Sequence, residues 1–503
     1  HITWSLADEG GEALMPSPWV GLLVNRGYVK AESDTGTITV KNRADYLVNA
    51  RAALHFLPSA LRSAKDGERI DDIWWALYDW ALLNGYDDSV HTIGAGLFYN
   101  SRAQALSKGL IESLFLKNKT LRGSVTLLEA YRKCPFAFFA KYGLKLKERQ
   151  EYDFAAPDLG TLVHAVLRCI GERLLEEGRP WRELKDDEIL SLCTVETERA
   201  AAEAANNILM SDAYFRQIKN RVVATLVRTV RQLRDFSEGS EFSVRALEQP
   251  FGTKGAWEGL SFNLPDGVKV ELVGQIDRVD TLELDGRTFI LIVDYKSGKK
   301  SITLPEVYSG LELQLFLYMA VARRNLGSKA VPAGAVYCRV RNDIQRCSAE
   351  PTAAEKERAY IKAGQLSGFY LNDSNVVRAL DDCTMEGRAA SPYSGLKINN
   401  DGTLKKAANV SDEAEWYRLL RLVEAAACRS ASELTGGCID IYPARWGSSN
   451  EHKACDYCPY AALCRFDVTA EDGNSWNYLG NLSIDDLFPD TVIVKDGGQD
   501  GVD

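Results

Sequence analysis

Hydrophobic residues recur along the chain at two different spacings. A spacing of three to four residues, typical of helices with one buried face, covers residues 46–61, 73–83, 159–175, 214–236 and 306–323. Between residues 268 and 298 the pattern changes to that of β-strands, and residues 333–340 predict a further strand. Helices are predicted again over 352–370 and 412–430. A mostly helical region at residues 1–122 is therefore expected to precede a domain of the α/β class.

Composition and charge restrict the kind of protein further. The chain has 503 residues, enough for two or three domains, and 46% of them are hydrophobic. It has no apolar run of about 18 residues, so no transmembrane helix is predicted. The net charge is −10, whereas a protein that simply coats DNA would be basic. A nuclease remains compatible with this charge, because a metal site needs carboxylates and a basic surface can be local.

Three further features bear on location and activity. The chain begins at His1 without a methionine or a signal peptide, so we expect a fragment of a longer protein. It has eleven cysteines, an odd number, which favours the reducing cytoplasm and clustered cysteines that bind metal. It has no G-x-x-x-x-G-K-[ST] motif, so ATP hydrolysis through a P-loop is excluded for this chain.

The segment 268–298 predicts a β-hairpin with chemistry on one face. Asp285-Gly286 between two strand-like runs is a strong signal for a two-residue hairpin loop. With that loop, Asp277 and Asp294 lie directly opposite each other, with Cβ atoms about 5 Å apart. Lys296 shares the face of Asp294, because alternate residues of a strand point to the same side. Two opposed carboxylates repel each other unless a divalent cation lies between them.

A solvated polar face balanced by a lysine is the alternative to a metal site here. The run Phe289-Ile-Leu-Ile-Val293 argues against it, since a continuous apolar run is typical of a strand buried on both faces. A carboxylate at the end of such a strand is unusual as a surface residue. We therefore expect Asp277, Asp294 and Lys296 to form a metal-dependent catalytic face.

Four motifs then resemble a known family. Gly160-Thr-Leu-Val-His164, Gly274-Gln-Ile-Asp-Arg-Val-Asp280, Val293-Asp-Tyr-Lys-Ser-Gly298 and Gln314-Leu-Phe-Leu-Tyr318 are similar to the motifs of the RecB-type PD-(D/E)xK nucleases, in the same order. The resemblance implies a restriction-endonuclease-like α/β core, in which a mixed central sheet is flanked by helices.

The same resemblance implies roles for individual residues. His164, Asp277 and Asp294 would bind catalytic Mg²⁺ or Mn²⁺, with the backbone carbonyl of Tyr295 as a further ligand. Lys296 would orient or activate the attacking water. The remaining two residues, Gln314 and Tyr318, would support the site and contact DNA. On the residues alone, a packed histidine explains His164 better than a ligand does. For the other two, which lie one helical turn apart, simple packing is the alternative.

A second constellation lies near the C-terminal end. Cys455, Cys458 and Cys464 supply three ligands, one fewer than a tetrathiolate site needs. The resemblance supplies Cys134, in Tyr131-Arg-Lys-Cys-Pro-Phe136, as the first cysteine of the iron–sulfur nucleases of this branch. The four would hold a [4Fe–4S] cluster that closes the nuclease domain. Zinc is the alternative that local spacing leaves open.

The resemblance also covers segments outside the motifs. Residues 5–17, 121–129, 367–373 and 437–443 are similar to the C-terminal half of the B-subunit family of bacterial AddAB helicase–nucleases. This implies a remnant of an inactive helicase-like region at 1–122, an iron–sulfur nuclease domain at 123–468, and a docking segment or tail at 469–503. It also implies a cytoplasmic heterodimer with the AddA subunit, which processes double-strand breaks by degrading the 5′-terminated single strand of DNA.

The helix at 214–236 is a tentative DNA-binding element. Its basic residues could line a DNA path, although a solvated helix face explains them equally well; the candidates are Arg216, Lys219, Arg228 and Arg231. Two alternatives remain for the whole chain. A stand-alone iron–sulfur exonuclease leaves residues 1–120 and 340–440 unexplained. A non-catalytic iron–sulfur scaffold that binds DNA leaves the intact Asp277, Asp294 and Lys296 unexplained.

Overall fold

A computed structural model describes most of the chain. It covers residues 14–29, 47–98, 103–147, 156–203, 213–254, 256–298, 300–340, 351–382, 384, 390–400, 402, 404, 409–447, 449, 451–468 and 474–479. Residues 5–13, which carried part of the resemblance, and most of the predicted C-terminal segment lie outside this range. The chain divides into two compact units, residues 1–100 and residues 101–503.

The first unit is helical in its described part. Its helices are Pro18–Asn25 (α1), Ala50–Lys65 (α2), Asp72–Leu83 (α3) and Asp87–Leu97 (α4). The side chains of Asn49 and Asp71 accept backbone N–H groups at the first turns of α2 and α3, which stabilises these helix starts. A small core contains Leu57, Trp74 and Val90. The helices predicted over 46–61 and 73–83 are confirmed.

The second compact unit begins earlier than the predicted domain boundary at residue 122. Helix Lys108–Phe115 (α5) and strands Leu116–Lys117 (β1) and Thr120–Gly123 (β2) belong to it. The reason is strand pairing: β2 lies parallel to the strand Lys269–Leu272 (β5) in a four-stranded sheet of order β1-β2-β5-β4, where β4 is Ser261–Asn263.

A six-stranded mixed sheet forms the centre of the second unit. Its order is β10-β9-β8-β7-β6-β3, and only the β7–β8 and β9–β10 pairs are parallel. The strands are Ser243–Phe251 (β3), Gly274–Leu284 (β6), Arg287–Lys296 (β7), Ala330–Arg339 (β8), Ser367–Leu371 (β9) and Val410–Ser411 (β10).

Helices flank this sheet, and all of them except α13 (Ala353–Ala363) contribute buried apolar residues to one continuous core with it. They are Val125–Lys133 (α6), Pro135–Phe138 (α7), Ala156–Glu176 (α8), Asp186–Glu203 (α9), Ala213–Glu238 (α10), Leu304–Tyr308 (α11), Gln314–Leu326 (α12), Ala353–Ala363 (α13), Ser374–Leu380 (α14) and Glu413–Thr435 (α15). A π-helical turn, Phe139–Gly143, follows α7, and a 3₁₀ turn, Trp181–Glu183, lies between α8 and α9.

A small sheet lies near the C-terminal end. It has the order β12-β11-β13, from Ala444–Trp446 (β11), His452–Lys453 (β12) and Asn477–Tyr478 (β13), and a short helix Ala461–Cys464 (α16) follows β12. The strand β13 belongs to the segment 469–503, which we expected to dock or to form a tail. Within the described residues, no helix is both long and apolar enough to cross a membrane.

The predicted hairpin has the expected register. Arg278 pairs with Val293 and Leu284 with Arg287, so Asp285 and Gly286 form the loop. Both loop residues have positive φ, 50° and 73°, as a type I′ turn requires. The hairpin prediction is confirmed.

Two predicted helices differ from the structure. The helix expected over 306–323 is split into α11 and α12, because Gly310 takes a φ of 85° that no α-helix accommodates. The helix expected over 352–370 ends at Ala363, and the residues that follow form β9. Antiparallel pairing of β9 with β8 places Phe369 and Tyr370 in the core, and this burial overrides the local helical pattern.

Candidate metal-dependent active site

The three residues of the predicted catalytic face lie together at one end of the hairpin. Asp277 lies near the start of β6 and Asp294 near the end of β7, and both are buried. One oxygen of Asp277, Oδ2, accepts the backbone N–H of Tyr295 at 2.8 Å, so its carboxylate is fixed against the neighbouring strand. Lys296 Nζ lies 2.6 Å from Oδ2 of Asp294.

Gln314 joins two of these residues through its side-chain amide. Its Nε2 donates to Asp294 Oδ1 at 2.9 Å and to the hydroxyl of Tyr318 at 3.0 Å. Its Oε1 accepts from Lys296 Nζ at 3.2 Å. Because Gln314 and Tyr318 lie one turn apart on α12, the helix presents both to the sheet.

Asp294 is buried, and the ammonium of Lys296 lies against one of its oxygens. Nζ is 2.6 Å from Oδ2, and this ion pair is the contact that the described residues provide for that oxygen. Burial and the facing Asp277 raise the pKa of Asp294 above its ordinary range, although Lys296 acts in the opposite direction. Two buried carboxylates that face each other are the environment that a divalent cation would complete.

His164 reaches the same place from helix α8. Its Nε2 lies 3.0 Å from the carbonyl oxygen of Tyr295, and its Nδ1 lies 3.5 Å from Asp277 Oδ2. The structure therefore brings His164 to the two groups expected to bind metal with it. Burial lowers the pKa of the imidazole, but Asp277 and Glu248 outweigh it and raise the pKa to about 10.

Glu248 is a residue of this site that the sequence did not predict. Its Oε1 lies 3.5 Å from Nδ1 of His164. Among the described residues, His164, Glu248 and Asp277 form the one group of three possible ligands whose ligand atoms all lie within 4.8 Å of one another.

The backbone around Glu248 explains why the prediction missed it. The pairing of β3 with β6 shifts register between Val244 and Ala246, and Glu248 has a positive φ of 43°. Alternation along the strand therefore gives no guide to where its side chain points. A non-glycine residue in this conformation is strained, and such strain is concentrated at functional sites.

A comparison with known families shows the superfamily of the chain. A model of the PD-(D/E)XK nuclease superfamily matches residues 122–465. The chain belongs to the PD-(D/E)XK nuclease superfamily. The expected fold class, a mixed sheet flanked by helices, is confirmed.

More specific similarity extends over nearly the whole chain. The fifth-domain family of the ATP-dependent helicase/deoxyribonuclease AddB matches residues 39–90. The B subunit of the ATP-dependent helicase/deoxyribonuclease of Desulforudis audaxviator (strain MP104C) is 33% identical over 497 residues, which are 97% of this chain and 42% of that protein. The protein of the same name from Bacillus thuringiensis (strain Al Hakam) is 32% identical over 514 residues, 99% of this chain and 43% of that protein. The chain thus spans about two-fifths of the length of these relatives.

The four predicted cysteine ligands of this PD-(D/E)XK chain line one small cavity. Cys134 lies between α6 and α7, and the other three lie between β12 and the end of α16; the four are Cys134, Cys455, Cys458 and Cys464. Burial and the three other cysteines raise the pKa of Cys455 to about 12. This cavity therefore favours the neutral thiol of Cys455 unless a cationic group is bound among the four cysteines.

The spacing of these thiols bears on which group fits. In the described part of the chain, no three cysteine sulfurs lie within 4.8 Å of one another. A tetrahedral zinc ion, with Zn–S bonds of about 2.3 Å, would hold its four sulfurs about 3.8 Å apart. Among the described residues, no three of these thiols are therefore as close together as the sulfurs of a zinc tetrahedron.

The basic residues of α10 have partners within the chain at three of the four tentative positions. Lys219 forms an ion pair with Glu198, and Arg231 forms one with Asp186 at 3.3 Å. The guanidinium of Arg228 lies 4.3 Å from the ring centre of Tyr360. Arg216 is exposed. These contacts agree with the alternative of a structured helix face, and DNA binding by these residues stays a prediction.

Proposed function

We propose that this chain is the metal-dependent deoxyribonuclease part of a bacterial helicase–nuclease subunit. The observation that carries the proposal is the pair of buried, opposed carboxylates, Asp277 and Asp294, with Nζ of Lys296 2.6 Å from one oxygen of Asp294. A solvated polar surface does not account for two carboxylates that are buried facing each other.

The residues around these carboxylates fit a hard divalent cation. His164, Glu248, Asp277, Asp294 and the carbonyl of Tyr295 would hold Mg²⁺ or Mn²⁺, because carboxylate, carbonyl and imidazole groups are their usual protein ligands. When bound, the ion would lower the pKa of a coordinated water and neutralise charge on the scissile phosphate.

The chain's own residues would position the reacting groups. Lys296 is held from two sides, by Asp294 and by Oε1 of Gln314, so its ammonium has a fixed direction. A cation held in this way can orient the attacking water and stabilise the charge that develops on the phosphate. Tyr318 would support Gln314 through its hydroxyl.

The cysteine cavity would hold a [4Fe–4S] cluster. Four thiolates are the usual ligands of such a cluster, and the order of one cysteine before the central sheet and three after it is similar to that of the iron–sulfur nucleases. The cluster would join Cys134 to the other three ligands across a loop of about 320 residues, and it would thereby restrict the unfolded chain.

The names of the relatives support the substrate and the partner. The B subunits of ATP-dependent helicase/deoxyribonucleases are similar over nearly this whole chain. We infer a cytoplasmic complex with the AddA subunit, which would supply the ATP-driven motor. The nuclease would then degrade the 5′-terminated single strand at a double-strand break before recombinational repair.

Two substitutions test the catalytic claim in the complete protein assembled with AddA. Asp277→Asn and Lys296→Ala should each lower Mg²⁺-dependent degradation of a labelled 5′-terminated strand by at least about a hundredfold, because each removes a fixed charge from the transition state. DNA binding should be kept. Lys269→Ala, on the exposed face of β5, is the matched control. Unchanged degradation by either variant would disprove the catalytic role.

A further inference from the structure

A buried carboxylate outside the proposed metal site contacts the start of helix α12. Glu129 lies on α6 and is only 7% exposed. Its Oε1 accepts two backbone N–H groups, from Leu313 at 2.7 Å and from Gln314 at 3.0 Å. The side chain of Ser124 caps α6 itself, so Glu129 is not needed there and instead contacts a helix far along the chain.

Helix α12 depends on this contact because it has no cap of its own. Its N-cap residue is Leu313, whose side chain offers no acceptor. The first N–H groups of a helix have no partner inside it, and a buried N–H without an acceptor is costly. The negative charge of Glu129 also lies at the helix end that favours an anion.

The residue fixed in this way is Gln314, the first of α12. Its side chain connects Asp294, Lys296 and Tyr318. A displacement at the start of the helix is therefore passed directly to the groups that the proposed nuclease reaction uses.

We propose that Glu129 is a positioning residue of this site, which sets the start of α12 and thereby holds Gln314 between Asp294 and Lys296. The proposal rests on the proposed nuclease function. It also explains why a side chain with a hydrogen-bond acceptor of this length is buried on α6.

Two conservative substitutions separate positioning from charge. Glu129→Gln keeps the side-chain length and the acceptor Oε1, and it removes the negative charge. Glu129→Asp keeps the charge and withdraws the acceptor by about 1.5 Å, the length of one C–C bond. We expect strand degradation by the assembled enzyme to fall at least about tenfold in Glu129→Asp and to stay near wild type in Glu129→Gln, because small misplacements in a catalytic site are costly.

The matched control is Asp373→Ala. Asp373 also accepts two backbone N–H groups at a helix start, that of α14, without contacting the proposed site. It should lower stability and leave turnover per folded enzyme unchanged. In a Gln314→Ala background, Glu129→Asp should cost little further activity, because the residue through which it acts is gone.

Hydrogen exchange gives a readout that does not depend on nuclease activity. The amides of Leu313 and Gln314 should exchange faster in Glu129→Asp than in Glu129→Gln or the wild type. A Glu129→Gln variant as impaired as Glu129→Asp, or losses that simply add in the double variant, would overturn the positioning role. An inactive wild-type enzyme with the expected exchange pattern would instead disprove the proposed function alone.

Discussion

The proposed metal site is built from residues that the fold forces into unfavourable proximity. Asp277 and Asp294 face each other across the hairpin, and Glu248 approaches His164 from a strained position on β3. Repulsion between buried carboxylates destabilises the protein without metal, and it is relieved when a divalent cation is bound. The same residues that lower stability therefore provide metal affinity.

Glu248→Gln tests whether this residue belongs to the metal site. Removing one carboxylate should raise the Mg²⁺ concentration for half-maximal activity on the order of tenfold, because one anionic ligand is lost. The measurement is a Mg²⁺ titration of DNA degradation by the assembled enzyme. Glu271→Gln, at a half-buried position on β5 and paired with Lys269, is the control. Identical Mg²⁺ dependence in both variants would exclude Glu248 from the site.

The residues of this site differ in how far the sequence could predict them. Asp277, Asp294 and Lys296 follow from strand alternation around a loop of known type. His164 lies more than a hundred residues earlier on another element, so only a family resemblance could join it to them. Glu248 was missed because a register shift and a positive φ determine its direction, and neither has a recognisable signal in a single sequence.

Two elements control the geometry of the site. The loop of the β6–β7 hairpin determines the strand register, and this register places the two carboxylates opposite each other. Helix α6 connects the two proposed centres: Glu129 contacts the start of α12, which carries Gln314, and Cys134, at the end of α6, lines the cysteine cavity. We therefore expect changes in the cysteine cavity to affect the nuclease face through α6.

Gly286→Ala tests the hairpin. The substitution should destabilise the protein by about 1–2 kcal/mol, because φ at this position is 73° and a Cβ is disfavoured there. Chemical denaturation monitored by fluorescence measures the effect. Gly109→Ala is the control, since Gly109 lies in α5 with open space around it and has no positive φ. Equal stability of the two variants would show that the turn does not determine the hairpin.

Elements were predicted best where local pattern and burial agree. The long helices α8 and α10 and the hairpin follow their apolar periodicity. The break between α11 and α12 was missed because it depends on Gly310 and on Glu129, which is distant in sequence. The strand β9 was missed because its pairing with β8, rather than its own pattern, decides its conformation.

On the scale of the whole molecule, the nuclease unit is closed by residues from its two ends. The first cysteine precedes the central sheet, and the other three follow the last long helix. The chain spans about two-fifths of its relatives, so the complete protein is the form in which activity should be measured. The order of helices and strands in the sequence indicated the class of fold. That Cys134 lies near the other three cysteines could be predicted only from the family resemblance.

Cys455→Ser tests the iron–sulfur proposal. The wild-type protein, purified without oxygen, should contain iron and acid-labile sulfide in equal amounts and absorb visible light. The variant should lose the iron and the sulfide. It should also become less stable, because the cluster would no longer join Cys134 to the other ligands. Cys169→Ser, outside the cavity, should retain them. A colourless wild-type protein with stoichiometric zinc would contradict the cluster.

The most direct test of the central claim is the position of Mn²⁺, located by anomalous scattering in crystals of the protein. We predict a peak in contact with the carboxylates of Asp277 and Asp294, at distances of about 2 Å, which is lost in Asp294→Asn. Absence of Mn²⁺ from this place at concentrations that support DNA cleavage, or its binding at a different set of residues, would contradict a metal-dependent nuclease site on this face.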